Sequence, residues 1–271
     1  MGIKTEWIRY GNRSGYFARP ELAALPLPSI LVIQEAWGVD DHIEDVTRRF
    51  AASGYAALAP DLYSEDGRRA APLTRERIGE FQTFMTSLPP AVWGDPAARE
   101  AELDKLPEAP RSRIGETFGA VFGSPGRLAG FVGPLREAVR HLRDDRPETK
   151  GQPIACVGFC MGGGLSALLA CEEPELSGAA VFYGATPPPE KLARIGCPVC
   201  AFYGATDARI NAGIPAFEQG MKEVGRPFEY HLYAGAGHSF FNDSRGGYNV
   251  GATRDSFARV LSFFSRLLAG G

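Results

Sequence analysis

One cysteine stands where a nucleophile would be useful. The run VGFCMGGG, residues 157–164, places Cys160 between Gly158 and Gly162. Small and β-branched residues precede it, as in a buried strand, and Leu165, Leu168 and Leu169 follow at helical spacing. A reactive residue held on such a strand-to-helix turn sits in a strained backbone conformation. Side chains two positions away would then strike the neighbouring strand and helix, which calls for glycine. The helix N-terminus beside the sulfur favours thiolate over thiol. The amide of Met161 is a natural donor to an oxyanion. A buried structural cysteine in a glycine-rich turn is the competing reading, and the phosphate-binding patterns G-x-G-x-x-G and P-loop lysine are absent.

A cysteine of this kind needs a base and a group to orient it, in the chain order nucleophile, acid, histidine. Asp207 ends the segment YGATD, and His238 ends AGAGH between glycines. Both follow apolar strand patterns, so both fall where the C-terminal ends of parallel strands converge. The remaining histidines read as structural: His42 at a helix start, His141 on a helix and His231 inside a strand.

Short apolar runs alternate with helical patterns along the chain, which predicts a mostly parallel sheet flanked by helices, the α/β-hydrolase fold. The strands are expected within 29–38, 55–63, 154–160, 178–184, 197–207 and 228–238. A hairpin around Gly11-Asn12 is expected at the sheet edge. Asp40 or Asp41 caps a helix over Ile43, Val46 and Phe50 that Gly54 stops. Helical spacing recurs at Ile214, Phe217, Met221 and Val224, and in a stripe of Phe257, Val260, Leu261, Phe264, Leu267 and Leu268. Residues 64–126 break the rhythm. They predict a helix from Thr74 to Met85 and another capped by Asp95 with Pro96 at its first position, before the helix of Leu128, Val132, Leu135, Val139 and Leu142. The segment reads as a helical insertion or cap over one end of the sheet within a single domain spanning 1–271, or else as a peripheral decoration.

With 44% apolar and 23% charged residues and a net charge of −3, the chain gives no electrostatic reason to expect nucleic acid or an anionic membrane as partner. No run approaches a membrane span, no signal peptide is visible, and Glu6 breaks the myristoylation pattern. The five cysteines are an odd number without a disulfide framework, which points to a cytoplasmic setting. Cys197 and Cys200 form a C-x-x-C inside a strand pattern, and no second cysteine or histidine pair completes a tetrahedral metal site. The expectation is therefore a structural role, with no metal and no cofactor.

The pieces VIQEAWGVDDHIEDVTRRFAASGYAALAPDLY, VGFCMGGG, FYGATD and AGAGHSFFNDSRGGYN resemble the dienelactone hydrolase (carboxymethylenebutenolidase) family in order and spacing. They cover most of the chain outside 64–126. The resemblance implies a Cys160-Asp207-His238 triad and a thioester intermediate on a small ester or lactone. It implies that Glu35 contacts the resting thiol and helps control its ionisation, and that the amide of Ala36 is the second oxyanion donor. By physics alone, Glu35 could equally cap the next helix or bind loop amides. The chain departs from the family where arginines grip a substrate carboxylate. Asn242 and Asp243 follow HSFF, the first arginine is Arg245, and Arg68, Arg69, Arg75 and Arg77 read as surface charges. Trp37, Tyr63 and Phe240 are the expected pocket walls, with core packing the alternative.

Two other readings remain. A class I glutaminase-like amidohydrolase also uses a cysteine on such a turn, but there the histidine is followed two positions later by a carboxylate, and here Ser239 and Phe240 follow His238. A non-catalytic binding protein on a hydrolase fold would keep the residue types without the chemistry.

Overall fold

The computed structural model describes residues 2–89, 92, 95–123 and 126–268. Strands β1 (Ile3–Tyr10), β2 (Arg13–Pro20), β3 (Ser29–Ile33), β4 (Ala56–Pro60), β7 (Ile154–Phe159), β8 (Gly178–Phe182), β9 (Val199–Gly204) and β10 (Phe228–Tyr233) form one sheet in the order β1-β2-β4-β3-β7-β8-β9-β10. β1 and β2 are antiparallel about Gly11-Asn12, as expected, and β2 runs antiparallel to β4. Every later neighbouring pair is parallel. This is the α/β-hydrolase architecture read from the sequence.

The central strands β3, β4, β7, β8 and β9 are buried along their whole length, which continuous apolar runs require when helices cover both faces. On one face lie α1 (Asp41–Ala52) and the terminal helix α10 (Val250–Leu268). On the other lie α5 (Arg127–Arg140), α6 (Met161–Glu172) and α9 (Ile214–Glu223). Asp40 caps α1 by accepting from the amide of Ile43. In α10 the stripe is displaced: Phe257, Leu261 and Leu267 are half-buried, while Phe263, Ser256 and Thr253 take buried places.

Between β4 and β7 the chain forms the short hairpin β5 (Ser64–Glu65) and β6 (Arg68–Arg69), a helical turn at Ala71–Leu73, and helices α2 (Arg75–Thr86), α3 (Pro96–Asp104) and α4 (Glu108–Phe122). Thr74 and Asp95 are the N-caps of α2 and α3, and Pro96 opens α3 as the sequence suggests. The hairpin and the 15-residue α4 had no clear signal. Gly115 and Gly119 lower the propensity of α4, and packing of Phe118 and Phe122 against Phe81 overrides it. Positions 90, 91, 93, 94, 124 and 125 of this segment lie outside the described residues. No helix among the described residues is long and apolar enough to cross a membrane.

Two glycines decide where the β7–α6 turn can go. A Cβ on Gly158 would lie 1.8 Å from the carbonyl oxygen of Gly162, and one on Gly162 would lie 2.3 Å from that of Ile33. Both obstacles are backbone. Gly162→Ala is therefore expected to destabilise the chain by about 3 kcal/mol or more. A fall in the urea midpoint with an unchanged m-value would show it, and an unchanged midpoint would contradict the close approach.

Candidate active site

Cys160 sits at φ 55° and ψ −115°, a strained conformation for any residue with a side chain. Its amide donates to the carbonyl of Phe182 at 3.0 Å, which ties the turn to β8. The sulfur lies half-exposed at the N-terminus of α6. The other four cysteines are buried, and burial pushes their thiols up, Cys171 to about 11 and Cys156 and Cys200 to about 12. None of the five is in a disulfide.

Asp207 follows β9 and His238 follows β10, so adjacent parallel strands bring them together. His238 Nδ1 donates to Asp207 Oδ2 at 2.5 Å, and its Nε2 lies 3.1 Å from Cys160 Sγ. Burial works against a charged imidazole here. The hydrogen bonds to Asp207 and Cys160 and their negative charge outweigh it, raising His238 to about 10. Burial likewise opposes ionisation of Asp207, yet its bond to His238 holds the carboxyl below its usual range. The three side chains can therefore share a proton between sulfur and nitrogen while the carboxylate stays charged.

Met161 and Ala36 line the same cavity. Met161 is the first residue of α6, where an N–H has no partner within the helix. Ala36 is in the loop after β3, and the Tyr63 hydroxyl donates to its carbonyl at 2.7 Å. Gln34 accepts from the amide of Leu62 at 3.1 Å and ties the same loop to the end of β4.

Glu35 is 1% exposed, and its two oxygens have two partners. The Tyr183 hydroxyl donates to Oε1 at 3.0 Å and Asn242 Nδ2 to Oε2 at 2.8 Å. Cys160 Sγ has His238 Nε2 as its hydrogen-bond partner, and the Glu35 oxygens are engaged by Tyr183 and Asn242. That tyrosine is fully buried, carries φ 41°, and meets the His238 ring edge-on at 5.2 Å. Burial, then the charges of Glu35 and Cys160, drive its phenol well above the ordinary value. Tyr183 and Asn242 escaped sequence reading, because one ends a strand as an ordinary core aromatic and the other stands where a cation was sought.

The cavity of about 290 Å³ above Cys160 is lined mainly by apolar groups, including Val121, Phe122, Leu128 and Ile210, with Arg127 and Arg209 as its cations. The expected walls lie elsewhere. Phe240 is fully buried against Tyr183 and Tyr233, turned inward by the positive φ of Ser239. Tyr63 is buried, with its hydroxyl donating to the Ala36 carbonyl in the loop after β3. Trp37 and Arg245 line a neighbouring cavity, with the guanidinium 5.2 Å above the indole. Arg69 is not a surface charge: it is bound to Asp61 at 2.7 Å and is 9% exposed. Arg75 pairs with Asp41 and Glu44, and Arg77 with Glu116. Of the other histidines, His42 lies 3.5 Å from Asp243, His141 stacks on Tyr10, and His231 pairs with Glu229.

Sheet order, strand-to-helix turn and the residues gathered at the C-terminal strand ends together define an α/β-hydrolase. Residues 14–268 match the model of the dienelactone hydrolase family, and the chain belongs to that family, an enzyme of the ester and lactone hydrolases. It is 34% identical over 253 residues to a protein of Saccharolobus solfataricus named for carboxymethylenebutenolidase, covering 93% of each chain. A crystal structure named for a dienelactone hydrolase of Klebsiella pneumoniae superposes with a TM-score of 0.70 at 26% identity, covering 98% of this chain and all of that one. An esterase of Thermogutta terrifontis shares the fold at 18% identity and a TM-score of 0.61, over 98% of this chain and 96% of that one.

Linkage gives a sign. His238 moves from 6.5 to about 10 on folding, so its stabilising contribution is complete below 6.5 and declines as pH rises through the folded value. The stability difference between the parent chain and Asp207→Asn, from urea unfolding, is expected to be larger at pH 6 than at pH 10.5. A difference that is the same at both pH values would contradict the charged pair.

Proposed function

We propose that the chain hydrolyses a small carboxylic ester or lactone through a thioester on Cys160. His238 takes the thiol proton, and the sulfur attacks the carbonyl carbon. Asp207 fixes the imidazole and balances its charge. The amides of Met161 and Ala36 hold the oxyanion. As it collapses, His238 returns the proton to the leaving alkoxide, which in a lactone stays attached as the ring-opened alcohol. A water deprotonated by His238 then attacks the thioester, and expulsion of the thiolate releases the acid. The observation that carries this reading is the unbroken line from Asp207 Oδ2 through His238 to Cys160 Sγ, with both hydrogen-bonding distances satisfied.

Glu35 acts on the thiol through Tyr183 and the field of its buried charge. Residues 64–126 serve as a helical cap within one domain of 1–271: Val121 and Phe122 from α4 reach the cavity, and α2 and α4 hold the Trp37 loop through Phe81 and Phe122. The reduced cysteines fit a cytoplasmic setting, and small molecules rather than nucleic acids or membranes are the partners. Arg127 and Arg209 have no carboxylate partner among the described residues, so the preferred substrate carries negative charge near its reacting carbonyl. Against an amidohydrolase stands the poor departure of an amine in competition with a thiolate.

Cys160→Ala is expected to lose at least about 10³-fold in kcat on an activated aryl ester, and full retention would remove the assignment. Arg209→Ala is expected to raise KM about tenfold for an ester bearing a carboxylate while leaving its neutral analogue within about twofold. Equal effects on both esters would exclude the charge preference.

A further inference from the structure

The C-x-x-C of Cys197 and Cys200 does not act as a pair. Cys197 joins the core beneath α6 and α9, and Cys200 the core beneath α10 on the opposite face. On its own face Cys200 has different company. The parallel register sets Cys200 opposite Glu229 and Phe202 opposite His231, so the alternating side chains of β10 present a carboxylate and an imidazole to the thiol. One ligand atom from each of Cys200, Glu229 and His231 lies within 4.8 Å of the other two.

We propose that Cys200, Glu229 and His231 form a transition-metal site of the zinc class, separate from the active site, that braces β9 against β10. The donor set is one sulfur, one nitrogen and one oxygen, which suits zinc, cobalt or nickel rather than calcium or magnesium. Zinc bonds of about 2.0–2.3 Å would set the ligand atoms roughly 3.3–3.8 Å apart, so small rotations close the site. All three ligands stand on strands, and His231 is stacked on Phe202 with ring centroids 5.5 Å apart at 19°. His231 Nε2 and Glu229 Oε1 already meet at 2.8 Å, the contact a metal ion would replace. Neighbouring cations leave that oxygen free: Arg266 lies 3.6 Å from the other oxygen, Oε2, and Arg259 is bound to Asp255 at 2.6 Å. Three protein ligands leave a fourth position for water. On binding, the Cys200 S–H bond breaks, the metal–sulfur bond forms, and the proton passes to solvent; no electron is transferred.

The location gives the site a consequence. β9 leads directly to Asp207 and β10 to His238, so a metal joining these strands would stabilise the register that sets the base and its orienting carboxylate.

The test uses the full chain carrying Cys160→Ser, which removes the active-site thiol as a competing ligand. Cobalt(II) is expected to bind at one equivalent with sulfur-to-cobalt charge-transfer absorption. Cys200→Ala in the same background should abolish that band. His231→Ala, near the surface and less demanding on folding, should weaken binding at least tenfold. Zinc at about 100 times its Kd should raise Tm by roughly 5 °C in the Cys160→Ser chain and not in the Cys200→Ala derivative. No charge-transfer band, a band that survives Cys200→Ala, or equal affinity in His231→Ala would overturn the proposal.

Discussion

The close approach of two backbone segments at the β7–α6 turn sets the terms for everything around it. With Gly158 facing the carbonyl of Gly162, and Gly162 facing that of Ile33, α6 lies against β3 and β7 at a distance no side chain permits. That proximity goes with the strained φ of 55° at Cys160 and places its side chain at the N-terminus of α6. It also brings the loop after β3 beside the turn, which is how Ala36 and Met161 come to flank one cavity. The strain at Cys160 persists because the surrounding strands over-determine it.

The second constraint is electrostatic. A carboxylate withdrawn from water is costly unless hydrogen-bonded, and the site holds two, the buried Glu35 and the half-buried Asp207. Asp207 spends its charge on His238. Glu35 spends its charge on neutral donors, the hydroxyl of Tyr183 and the amide of Asn242. The division leaves His238 as the hydrogen-bond partner of the thiol among the described residues. Tyr183 touches both halves, through its hydroxyl to Glu35 and its ring to His238, so the two carboxylates act on one buried assembly.

How much of this could be read from the chain follows from the range of the interactions. The strands, the caps at Asp40 and Asp95, and the gathering of Cys160, Asp207 and His238 at strand ends all rest on local pattern and parallel topology, and these were legible. The cavity walls were not, because they depend on contacts between segments far apart in sequence. Phe240 looked like a wall but the positive φ of Ser239 turns it inward, while Phe122, Arg127 and Arg209 reach the cavity from elements whose placement no periodicity specifies. Asn242 shows the same limit: an amide gripping Glu35 is invisible until the fold brings position 35 to position 242. The C-x-x-C follows the same rule: Cys197 precedes β9 and joins one core, while Cys200 on β9 joins the core of the opposite face.

The central claim is that carbonyl chemistry passes through the sulfur of Cys160. Intact-mass measurement after rapid mixing with a slowly turned-over aryl ester addresses it directly, followed by proteolysis to locate the adduct. The account predicts a transient mass increase equal to the acyl group, on the peptide containing Cys160. It should disappear as acid is released and be absent in Cys160→Ser. Turnover at full rate with the acyl group on another residue, or with no adduct when deacylation has been slowed, would contradict it.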